Sequence, residues 1–167
     1  YETAPRTKLA AFEFATDSVI IKARSGMGLV RGVNRDAVRV EYDIFTNVTS
    51  GQKEYGVSLL VVPETSTEKH YRYYVDYEDI DSLLKGIDYI TRMNPAVSDL
   101  VTFEAEYRSK GDLEISTFTD IHGAVRVAIS NYVCGSNRTA LDLAGLSEIQ
   151  RLLVAAKSKL DSIKSGQ

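Results

Sequence analysis

The chain has no tryptophan, one cysteine, two histidines and three prolines among its 167 residues, and each scarcity removes a class of protein. A single cysteine, Cys134, cannot close an intramolecular disulfide, and with only His70 and His122 beside it there is no Cys/His set for structural zinc. Little proline and 44% hydrophobic residues exclude a disordered or collagen-like chain. No apolar run approaches the ~20 residues that cross a bilayer, so membrane insertion is not expected. Positive charge is also short: 20 Lys+Arg against 23 Asp+Glu leave a net charge of −3, so no whole-molecule field draws in nucleic acid or an anionic surface. The balance is uneven along the chain. Residues 1–40 carry seven basic and four acidic side chains (net +3), and residues 41–99 carry five and eleven (net −6).

Two segments have a clear helical period. Ile80, Leu83, Leu84, Ile87 and Ile90 form one apolar stripe, and Asn94-Pro95 stops it. Ile149, Leu152, Leu153, Ala156, Leu160 and Ile163 form the second, with Ser147 and Gln150 at the spacing of a capping box. Leu83, Leu84, Ile87, Leu152, Leu153 and Ala156 are therefore expected in the core. Alternating, β-branched and aromatic stretches predict strands near 9–15, 18–24, 37–46, 55–62 and 69–77 before the first helix. They predict strands near 100–108, 112–119 and 123–131 before the second, with a hairpin turn at Ser109–Asp112. The expected class is α+β: antiparallel sheet with two packed amphipathic helices, arranged as a first strand-rich half (1–93) and a second (94–167) in one unit. Both helices share the string acidic-Ile-x-x-Leu-Leu, and duplicated strand–strand–strand–helix halves are one reading of this order.

Most candidate chemistry has a plain structural counterpart. Gly26-x-Gly28-x-x-x-Gly32 lacks the Lys-Ser/Thr of a phosphate loop and is followed by a strand pattern, so it reads as a flexible hairpin. Asp120-x-His122 is the one carboxylate–histidine neighbour pair and reads as a turn. Cys134, among Tyr132, Val133 and Gly135, reads as a half-buried structural cysteine. Asp76, Glu78, Asp79 and Asp81 lack an EF-hand pattern and read as first-turn acids of the helix that follows. No catalytic residue, metal site or cofactor is assigned.

The least ordinary feature is the tyrosine content, 10 in all, four of them in His70-Tyr71-Arg72-Tyr73-Tyr74-Val75-Asp76-Tyr77. On a strand, Tyr71, Tyr73, Val75 and Tyr77 share one face and His70, Arg72 and Tyr74 the other. Tyr71, Arg72, Tyr73 and Tyr74 are thus the candidate ligand-binding residues, able to stack on bases, sugars or a peptide. The order strands, helix, strands, helix, with the hairpin Phe103–Ile115 leading to Leu146-Ser147-Glu148-Ile149, resembles the Whirly and Pur-type single-stranded nucleic-acid-binding fold. That resemblance implies nucleic acid as a partner, whereas the acidic middle of the chain withholds the phosphate contacts on which such affinity rests. The preferred reading is a non-catalytic binding or interaction module for a macromolecule or small ligand. Single-stranded nucleic-acid binding is the alternative, and a small enzyme using Asp120 and His122 the third. A chain beginning at Tyr1 fits either a removed export signal or a truncation, so both a cytoplasmic and an exported location stay open, as does a homo-oligomer.

Overall fold

The structure, a computed structural model, describes residues 4–65, 70–93, 103–135 and 138–166. After helix α1 (Lys8–Glu13), four antiparallel strands run in simple succession: β1 (Ile20–Arg31), β2 (Ala37–Asn47), β3 (Lys53–Val62) and β4 (Tyr71–Asp76). A 3-10 turn, Tyr77–Asp79, leads into α2 (Ile80–Thr91). A second antiparallel sheet follows, β5 (Glu106–Arg108), β6 (Leu113–Thr119), β7 (Val125–Asn131) and β8 (Thr139–Leu141), and then α3 (Leu143–Ser165). The class is α+β, and among the described residues each half has four strands followed by a helix, one strand more than three, with α1 added ahead of the first. Among the described residues, no helix is long and apolar enough to cross a membrane.

The register follows the apolar alternation. Val40 lies opposite Leu59, and Leu59 opposite Tyr73, so one face of the first sheet is a continuous row of buried side chains. Ile115 and Ile129 do the same in the second sheet. Helix α3 packs against α2, against β1–β3 and against β7 and β8, and α2 against β5 and β6. The main cluster of buried residues draws Val38 and Tyr73 from the first sheet, Leu113 and Val127 from the second, and Leu83 and Leu153 from the helices. Gly28 and Gly86 permit the close approaches: a Cβ on Gly28 would lie 3.0 Å from Leu152, and one on Gly86 2.4 Å from the Tyr107 ring.

Several expectations need correction. Residues 9–15 form no strand. Thr7 caps α1 by accepting from the Ala10 amide at 3.1 Å, and Leu9 and Phe12 point to one side, a period too short to declare itself in six residues. Most of the glycine-rich stretch is no hairpin either: Gly26 and Gly28 lie inside β1, with a bulge between them, and the chain turns only from Gly32. Of the strand expected over 100–108, residues 100–102 lie outside the described residues and Glu106–Arg108 is paired. Strand β8, Thr139–Leu141, lies beyond the last strand expected. Helix α3 begins four residues before Ser147, and Asp142 caps it by accepting from the Gly145 amide at 2.7 Å. Leu84 is half-buried at the edge of the core, while Leu83, Ile87, Leu152, Leu153 and Ala156 are inside it.

Candidate functional site

Strand β4 turns one face into the core and the other toward α1. Tyr73 is 0% exposed and its ring lies 4.8 Å from that of Tyr71, so its flat face is spent on packing. Tyr71 is half-buried and accepts a hydrogen bond from Asn131 Nδ2 at 2.7 Å. On the other face Tyr74, 8% exposed, joins a small apolar cluster with Leu9, Phe12 and Phe45. Its ring meets Phe45 edge-on with centroids 5.7 Å apart.

Helix α1 closes over a charged layer on this outer face. The Tyr74 hydroxyl donates to Glu13 Oε1 at 2.6 Å and accepts from Arg24 Nη2 at 2.7 Å. Arg24 also lies 3.4 Å from Asp43 and 3.5 Å from Glu13, and Lys22 bonds Glu13 at 3.1 Å. Arg72 bridges Glu41 and the Ser58 hydroxyl, the latter at 2.8 Å. Burial pushes the Tyr74 hydroxyl well above its ordinary titration range. For Glu13, burial opposes ionisation, but the bonds from Tyr74 and Lys22 and the charges of Lys22 and Arg24 outweigh it and hold the carboxyl below its usual range. Asp43 is the exception. Its side chain is 0% exposed, and burial pushes it up to about 6 despite the Ser58 hydroxyl and the charges of Arg72 and Arg24 beside it.

Between this layer and the segment entering α1 lies a cleft of about 470 Å³. Tyr71, Arg72 and Tyr74 form one wall, Arg24 and Glu13 the floor, and Arg6, Thr7, Phe14 and Asp112 the rim. Three of the four residues singled out in the sequence therefore meet at one cavity, and Tyr73 stands apart from it in the core. Arg6, Glu13, Arg24 and Asp112 were not legible as partners, since Glu13 and Arg24 join Tyr74 across 61 and 50 residues. The one local hint is that Arg24 and Asp43 are opposite charges at directly paired positions of β1 and β2.

The other candidates resolve into structure. Asp120 accepts from the amides of His122 at 2.8 Å and Ala124 at 3.0 Å and pairs with Arg126 at 3.1 Å, which holds the β6–β7 turn; its bond to His122 goes to the backbone and not the ring. His122 is exposed. Among the described residues no group of three His, Cys, Asp or Glu side chains is placed to hold a metal. Cys134 is exposed, not half-buried, because Asn131 turns the chain outward by accepting from the amides of Val133 and Cys134. The acidic run is divided among several partners. Asp76 is buried and accepts from the amides of Lys8 at 2.8 Å and Leu9 at 3.1 Å, so it anchors α1 and not α2. Glu78 pairs with Lys8, Asp79 with Lys110 and Asp81 with Lys157, and Asp79 makes no side-chain cap to α2.

No protein-family model matches the chain, and no curated protein matches it.

Proposed function

We propose that the chain is a non-catalytic binding module whose ligand occupies the cleft between α1 and β4. The observation that carries this reading is the convergence of Tyr71, Arg72 and Tyr74 on one cavity of about 470 Å³, a size within the ordinary range of ligand clefts. Aromatic and apolar groups there give a ligand a surface to rest on, and the fixed guanidinium, carboxylate and hydroxyl groups give it direction. The test is amide chemical-shift mapping of the labelled chain with a ligand panel. Binding should move the amides of residues 4–14 and 70–74 together. Binding that moves only the outer face of the second sheet removes the proposal.

A second reading, single-stranded nucleic-acid binding, draws support from two features. Antiparallel strands and then a helix, twice over, is the element order on which the resemblance to the Whirly and Pur-type fold rests. Arginines also lie over aromatic rings on the second sheet, Arg138 at 5.0 Å from Phe118 and Arg108 at 5.4 Å from Tyr132. Titration with single-stranded oligonucleotides separates the two readings, because log affinity would fall against log salt with a slope near −0.7 for each phosphate contact.

A further inference from the structure

We infer that the α1–β4 cleft is shaped for a neutral, hydroxyl-rich ligand, a carbohydrate chain, and this rests on the reading of the cleft as the binding site. The argument begins from charge. Every arginine at the cleft already has a carboxylate: Arg6 has Asp112 at 3.4 Å, Arg24 has Asp43 at 3.4 Å and Glu13 at 3.5 Å, and Arg72 has Glu41. The arginine charges are thus already balanced, and a charged ligand of either sign enters a partly desolvated site only by exchange with one member of a pair or by going without a counter-charge.

A hydroxyl group needs no such exchange, because it donates and accepts in one place. Arg72 uses Nη1 for Glu41 and Ser58, which among the described residues leaves Nε and Nη2 of its five N–H groups. Arg24 uses Nε and Nη2, which leaves Nη1. These groups are held by the network beneath them, so a ligand bonding to them orders few side chains on arrival. Phe14, 58% exposed at the rim, supplies a flat apolar face for the C–H side of a sugar ring. Donors in fixed positions with an aromatic face beside them match a pyranose, which is polar at its edges and apolar on its faces.

The test titrates neutral oligosaccharides (cellohexaose, maltohexaose, xylohexaose and chitohexaose) into the labelled chain, with phosphate, citrate and a single-stranded oligothymidylate as charged probes. At least one saccharide should shift residues 4–14 and 70–74, with an affinity unchanged when salt is raised. Phe14→Ala, at an exposed position, should weaken that binding about tenfold with the protein still folded. Phosphate, citrate or the oligonucleotide shifting the same residues while the saccharides do not would overturn the ligand class and keep the cleft as the site. Silence from every probe would overturn both.

Discussion

Leu9 on α1 seats its Cδ1 in the space that a side chain on Gly56 would fill: a Cβ built on Gly56 would lie 2.5 Å from that atom and 2.3 Å from the Val75 carbonyl oxygen. The glycine in the middle of β3 is what lets α1 lie flat on the sheet and roof the charged layer beneath it. Gly56→Ala must therefore push against both a core leucine and a backbone carbonyl. It should cost about 1–3 kcal/mol and speed amide exchange over residues 8–13 before the rest of the fold. Unchanged exchange there would show that the Leu9–Gly56 fit is not what holds the helix down.

Asp43 gives the stability a pH dependence of defined sign. Its ordinary value is 3.8 and burial raises it to about 6, so the folded chain binds the proton more tightly than the unfolded one. The cost of ionised Asp43 is absent below 3.8, builds between 3.8 and about 6, and is complete above that, at about 3 kcal/mol. Asp43→Asn should be more stable than the parent at pH 8 and close to it at pH 4, as read by urea unfolding. Asp76 is also raised, by burial against the amide bonds from Lys8 and Leu9, and Glu13 is held low. Both are common to parent and variant, so the difference between the two curves isolates Asp43. A difference growing toward acid would reverse the assignment.

The core stripes give a plainer expectation. Leu83→Ala and Leu153→Ala each empty a wholly buried position and should cost about 2–5 kcal/mol. Leu84→Ala, at a half-buried position, should cost clearly less. Equal losses at Leu83 and Leu84 in denaturant titrations would mean that α2 is rotated from the face described.

Tyr74→Phe keeps the ring against Phe45 but removes the hydroxyl that Glu13 and Arg24 share. A loss of about 1–3 kcal/mol is expected, since two charged groups each lose a partner in a half-buried place. The same change should raise the Glu13 titration, measurable by carboxyl NMR, because the Tyr74 bond is one of those holding it down.

What could be read in the sequence, and what could not, follows from the range over which each pattern acts. The α2 stripe repeats over 12 residues and the β2 alternation over 11, long enough for period alone to decide between helix and strand. Helix α1 and strand β8 span six and three residues, too few for any period to show. The capping box at Ser147 was outweighed by Asp142, whose side chain meets the Gly145 amide and lets the helix start earlier. On β4, alternation separated the faces of Tyr73 and Tyr74 correctly. It could not say that both faces are covered, because the cover on the second is α1, a segment about 60 residues upstream. The cleft was half legible for the same reason. Its wall is one strand, while its floor and rim come from partners that only the folded chain brings near.

The position of α3 in the chain sets the order in which the protein can be made. The last helix is the element that packs on both sheets and on α2, and it supplies Leu146, Ile149, Leu153, Ala156 and Leu160 to the shared interior. As the chain leaves the ribosome, the first meander and α2 emerge with that interior side still lacking its final layer. They must wait for the whole second meander to be synthesised before it is sealed. Nascent chains arrested before Leu143 should therefore be held by chaperones and cut readily by proteases, and resistance should arrive in one step when the helix has cleared the exit tunnel.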